Sequence, residues 1–128
     1  YPTLPRYSHN SLGIPICVLS RISLHAFNFS TFTGFVLDGS NFEPVYDATV
    51  LLKLEGHLVE MVDKTWTNPF VTCKSTKGAY TFWMKSLPAE AAGISKKFNF
   101  TVEVTAPGYT PVSHFFEVPL VKILSVMN

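Results

Sequence analysis

Apolar and polar residues alternate along most of this chain with a period of two. From Phe98 the apolar positions are Phe98, Phe100, Val102 and Val104, with Asn99, Thr101, Glu103 and Thr105 between them. A strand sends successive side chains to opposite faces, so this pattern predicts a strand over 98–105 with one buried and one solvated face. The same reading predicts strands over 16–24, 27–37, 49–54, 58–64, 70–74, 79–85 and 113–118, and a last apolar stretch over 120–127. Turn residues separate them. Asp38-Gly39-Ser40-Asn41 carries Asp-Gly, the favoured pair of a tight hairpin; Glu55-Gly56-His57, Asn68-Pro69, Lys77-Gly78 and Pro107-Gly108 follow. Only 87–94, with Ala89-Glu90-Ala91-Ala92, has helical composition, and it is too short for more than a turn or two. Short strands at such spacings predict an all-β sandwich of seven or eight strands.

The ends of the chain carry a different message. Residues 1–15 hold Pro2, Pro5 and Pro15 with no regular period, which predicts an extended arm. At its end and beyond lie Ile14, Ile16, Val18, Leu19, Ile22 and Leu24, and the far end of the chain holds Leu120, Val121, Ile123, Leu124 and Val126. A disordered tail is polar and poor in β-branched residues, the reverse of these segments. They must be covered, either as extra strands of their own chain or by adding to a neighbouring subunit's sheet. The second route is a head-to-tail contact, which builds a filament unless the rotation closes a ring.

Composition sharpens this picture. A chain of 128 residues fits one domain with flanking segments. Charged residues are 15% of it, against roughly 25% in an average soluble domain. Aromatic residues make up 14%, including eleven phenylalanines, so charge does not cover the surface of so small a domain. Sugar, hydroxyl-rich strands or a partner subunit would. The net charge of +1 gives no electrostatic case for nucleic acid or an anionic membrane. No apolar run approaches the ~20 residues of a membrane-spanning helix. The start at Tyr1-Pro2-Thr3 fits a processed N-terminus or an arbitrary chain boundary.

Two acceptor sequences for N-linked sugar are present, Asn28-Phe29-Ser30 and Asn99-Phe100-Thr101. Asn99 falls on the polar face of its strand with Thr101 and Glu103. Asn28 shares parity with Phe32, Gly34 and Val36, so an outward Asn28 needs a bulge before Phe32. Cys17 and Cys73 are too few for a zinc site. Paired, they would tie the N-terminal segment to mid-chain and close a loop worth about 4 kcal/mol; the alternative is two free thiols. The glycan acceptors point to an oxidising compartment and so to the Cys17–Cys73 pair.

Four short motifs occur in order. They are Phe32-Thr33-Gly34-Phe35-Val36-Leu37-Asp38, then Pro44-Val45-Tyr46-Asp47-Ala48-Thr49-Val50-Leu51-Leu52, then Thr76-Lys77-Gly78-Ala79-Tyr80-Thr81-Phe82, and last Ala106-Pro107-Gly108-Tyr109. In order and spacing this series resembles the carboxypeptidase regulatory-like domains, over about residues 29–118. The resemblance implies a transthyretin-like (prealbumin-like) Greek-key sandwich and a structural, accessory or display role without catalysis. It divides the chain into an N-terminal arm with an extra strand (1–28), the sandwich (29–118) and a C-terminal apolar strand (119–128).

Little else reads as chemistry. His57-Leu58-Val59-Glu60 has the spacing of a zinc-ligand pair, but on a strand residues three apart point to opposite faces. His9, His25 and His114 show no ligand spacing. Asp38 and Asp47 suit turns, where a short carboxylate bonds nearby backbone amides. A calcium loop at Asp38–Asn41 lacks the further carboxylates such a site gathers. Trp66 and Trp83, with Tyr80, are candidates for a sugar-contacting platform; Trp83 alternates out of phase with Phe82 and Met84 and is the one expected outside.

The sequence therefore predicts a secreted or cell-surface, glycosylated structural subunit that self-associates into a homopolymer by strand addition. The alternative is a carbohydrate- or ligand-binding accessory module. Neither reading calls for a cofactor, metal or nucleic acid.

Overall fold

The computed structural model describes residues 6–7, 13–24, 29–85 and 96–119. Nine strands appear in them: β1 (Arg6–Tyr7), β2 (Ile16–Leu24), β3 (Phe29–Asp38), β4 (Thr49–Leu54), β5 (His57–Leu58), β6 (Phe70–Val71), β7 (Ala79–Lys85), β8 (Lys97–Thr105) and β9 (Val112–Pro119). They form two antiparallel sheets. One has the order β1-β2-β3-β7; the other runs β5-β4-β8-β9, with β6 also on β4. There is no helix among the described residues. The helical segment expected at 87–94, the apolar stretch 120–127 and Asn28 all lie outside them.

Period-two alternation explains the packing. Phe98, Phe100, Val102 and Val104 of β8 are buried, as are Tyr80, Phe82 and Met84 of β7 and Ile16, Val18 and Ile22 of β2. These inward residues of both sheets form one core, giving a sandwich-like all-β body. Phe32 of β3 and Phe116 of β9 stack across it at 5.3 Å, and Phe116 continues onto Phe100 at 5.4 Å. Offset aromatic stacks of this kind add to the burial of their area.

Gly34 is required by a close approach. A Cβ there would collide with the Leu19 carbonyl oxygen and the Tyr80 ring. Tyr80 lies over the bare backbone and points its hydroxyl at Leu19 O, 3.4 Å away. Glu55 and Gly56 both have positive φ, the mirror-image turn a two-residue hairpin uses, and they join β4 to β5.

Several expectations are corrected. The Asp38-Gly39 turn closes a short hairpin, with Leu37 bridging Pro44, Asp38 N donating to Glu43 O (2.7 Å) and Val45 N to Val36 O (2.9 Å), but the returning chain then crosses to the other sheet as β4. The strand expected over 58–64 ends at Leu58. Beyond it the chain leaves β4 for the edge of β7, where Val62 N donates to Trp83 O (2.7 Å) and Lys85 N to Glu60 O (3.1 Å). The strand over 70–74 stops at Val71, where the pairing with β4 gives way to a buried loop: Thr72 N donates to Ala48 O (2.9 Å), and its Oγ1 donates to Val45 O (2.8 Å) and accepts from Ala48 N (3.0 Å). Among the described residues no bulge lies between Ser30 and Phe32, for the β2–β3 register is unbroken from Leu24↔Ser30 to Ile16↔Asp38.

The N-terminal apolar segment has the intramolecular of its two expected fates. Residues 16–24 pair along β3 within the chain, and Thr110 N donates to Ile14 O at 2.9 Å.

Candidate functional site

The two tryptophans named as platform candidates meet in space. Trp83 sits on the outward face of β7, and Trp66 stacks on it with ring centroids 5.2 Å apart and planes at 27°. Both are half-buried. Trp66 is delivered by the irregular segment 59–68, which is tied at many points. Asn68 accepts from Leu52 N (3.1 Å) and donates to Leu52 O (2.8 Å) and Val59 O (3.0 Å). Asp63 Oδ1 accepts from Thr65 N at 2.8 Å, a local turn that sets the approach to Trp66.

Beside Trp66 lies a shallow recess of about 430 Å³, lined among others by Glu60, Asp63, Lys64, Asn68 and Lys85. Glu60 and Lys85 form an exposed ion pair at 3.4 Å. Sequence reasoning missed Asp63 and Lys64 here, since only the path of the loop brings them to the tryptophan.

A second concavity, of about 480 Å³, lies on the outer face of the β1-β2-β3-β7 sheet. Leu19, Phe35 and Ala79 form a row across three strands, through the pairs Leu19↔Phe35 and Phe35↔Ala79. Arg21, Thr33 and Thr81 form the next row. Leu19 is 36% and Phe35 45% exposed. The signal was available: Leu19 and Phe35 are apolar residues out of phase with the inward set.

The opposite outer face mixes charge with exposed apolar side chains: Phe115 (58%), Val71 (56%) and Leu58 (49%) stand on it. Lys53–Glu103 (3.1 Å) and Lys97–Glu117 (3.3 Å) bridge neighbouring strands there. Asn99 lies on this face as its alternation predicts, and its Nδ2 donates to Glu55 Oε1 at 2.7 Å.

The two cysteines do not pair. Cys17 is buried on β2 and Cys73 is exposed in the turn after β6, and both are free thiols. Cys73 Sγ lies 3.1 Å from Ser75 Oγ and 3.4 Å from Thr76 Oγ1. Those hydroxyls stabilise the thiolate and bring its pKa down to about 7.

Asp38 is held as a turn residue. Its Oδ1 accepts from the Ser40 hydroxyl and from Ser40 N (2.8 Å), and its Oδ2 accepts from the Tyr109 hydroxyl (3.0 Å). These bonds, Ser40's first, hold its pKa below the ordinary carboxylate value despite partial desolvation. His57 is exposed at the β5 hairpin, and Glu60 is turned to Lys85. No group of three or more potential metal ligands occurs among the described residues. None of their helices is long and apolar enough to cross a membrane.

Compared with protein-family models, characterised proteins and solved structures, the chain has no significant match.

Proposed function

We propose that this chain is an extracellular, non-catalytic β-sandwich of the transthyretin-like, carboxypeptidase regulatory-like type, and that it serves as a structural subunit associating with further copies of itself. The apolar row at the centre of one outer face carries the reading. One face bears cross-strand ion pairs and the glycan acceptor Asn99. The other offers the Leu19–Phe35–Ala79 row and its concavity to a neighbour. Apolar side chains left in water at the centre of a sheet face favour association; on the other face the ion pairs, with a glycan at Asn99, offset the exposed Phe115. The type of sandwich is supported by where the four motifs fall: on β3, β4, β7 and the turn leaving β8, with the first and last joined by the Asp38–Tyr109 bond.

Assembly then runs through the sheet face, since residues 16–24 are already paired within the chain. Light scattering and negative-stain microscopy over a concentration series test it. Wild type should assemble and Phe35→Lys should stay monomeric. A wild type that remains monomeric throughout sinks the proposal. Intact mass before and after glycosidase treatment, with Asn99→Gln as control, tests the sugar.

A further inference from the structure

The Trp66 recess stands apart from the face just described and has a chemistry of its own. It combines one flat aromatic ring, backed by Trp83, with donors and acceptors of both charge signs. Lys64 Nζ has no hydrogen-bond partner among the described residues and is available as a donor. Asp63 uses Oδ1 for the Thr65 turn, which leaves Oδ2 as an acceptor. Two carboxylates (Glu60 and Asp63) face two ammonium groups (Lys64 and Lys85), so the recess selects neither an anion nor a cation.

We infer that this recess binds a neutral sugar ring. A gluco-configured, β-linked pyranoside carries its hydroxyls around its edge and leaves a flat C–H face. That face stacks on the Trp66 indole, while the edge hydroxyls, each both donor and acceptor, meet Lys64, Asp63 and Glu60. The volume lies within the ~300–1,000 Å³ of small-ligand sites. The loop is ordered in advance: Asn68 fixes it to β4, Val62 N and Glu60 O fix it to β7, and the Trp83 ring holds the platform from behind. Binding therefore requires little further ordering of the protein, a condition for useful affinity from so few contacts.

Titration with cellohexaose and with chitohexaose, followed by tryptophan fluorescence and calorimetry, tests the inference. Saturable binding of at least one is expected, weakened at least tenfold by Trp66→Ala and severalfold by Lys64→Ala. Lys64 makes no contact that folding depends on, so its variant decides the matter if Trp66→Ala does not fold. Phe35→Lys should bind as wild type does, which separates this site from the self-association face. The inference is overturned if folded wild type binds neither sugar, or if binding survives both substitutions in the recess.

Discussion

The Tyr109 hydroxyl donates a 3.0 Å hydrogen bond to Asp38 Oδ2, joining the end of β3 to the turn between β8 and β9. Desolvation first, and then the Asp38 carboxylate, raise the Tyr109 phenol above its ordinary pKa, while Asp38 itself is held low. A carboxylate with a depressed folded pKa contributes stability that is present above its unfolded value, near 3.8, and lost as pH falls through the folded value. Tyr109→Phe should lower the melting temperature near neutrality and shrink the loss of stability below pH 3.8. Thermal melts of both proteins between pH 2 and 7 measure the difference; parallel curves would show that the bond carries no linkage.

Gly34→Ala should destabilise the fold by at least about 3 kcal/mol, because the added methyl meets a backbone carbonyl and a buried ring that cannot both yield. Urea denaturation measures it. The double variant with Tyr80→Phe should recover only part of the loss, since the Leu19 carbonyl still stands in the way.

Tyr80 is almost fully buried, which raises its phenol pKa well above the usual 10 despite a bond with Ser20. The unfolded chain ionises near pH 10 and the folded one does not, so this contribution is present below pH 10 and declines as pH rises above it. Stability measured between pH 8 and 11 should fall more steeply in wild type than in Tyr80→Phe.

Thr72→Val should cost about 2 kcal/mol. The isosteric change leaves Val45 O without its donor and Ala48 N without its acceptor, both in a buried loop. Thr72→Ser retains the hydroxyl and should lose much less; equal losses would assign the effect to packing.

Cys73 should react with iodoacetamide with a pH midpoint near 7, while buried Cys17 reacts only on unfolding. Ser75→Ala should raise that midpoint, as it removes the larger of the hydroxyl contributions. Mass spectrometry of the labelled protein over pH 5–9 reads both sites.

Period-two alternation was enough to place β2, β4 and β7 at their observed bounds and β8 and β9 to within a residue. It also sent Asn99 outward and Trp83 to the face opposite Phe82. These are properties of a strand itself, set by which side each Cβ leaves the backbone. Where a segment changes sheets, the pattern failed. Residues 58–64 alternate well enough for a strand, yet the chain leaves β4 after Leu58 to reach β7, a path set by the gap between two sheet edges. The Asp38-Gly39 turn does fold back, Leu37 onto Pro44, but local turn chemistry does not say that the next strand joins the other sheet.

The sequence by itself determined most of the strands and their buried faces. Only the tertiary structure decided that residues 16–24 pair within the chain, that Cys17 and Cys73 remain apart, and that Asp38 finds Tyr109 and Trp66 finds Trp83. Alternation is encoded by neighbours two residues apart, whereas these partnerships span tens of residues and depend on how two sheets close over a shared core.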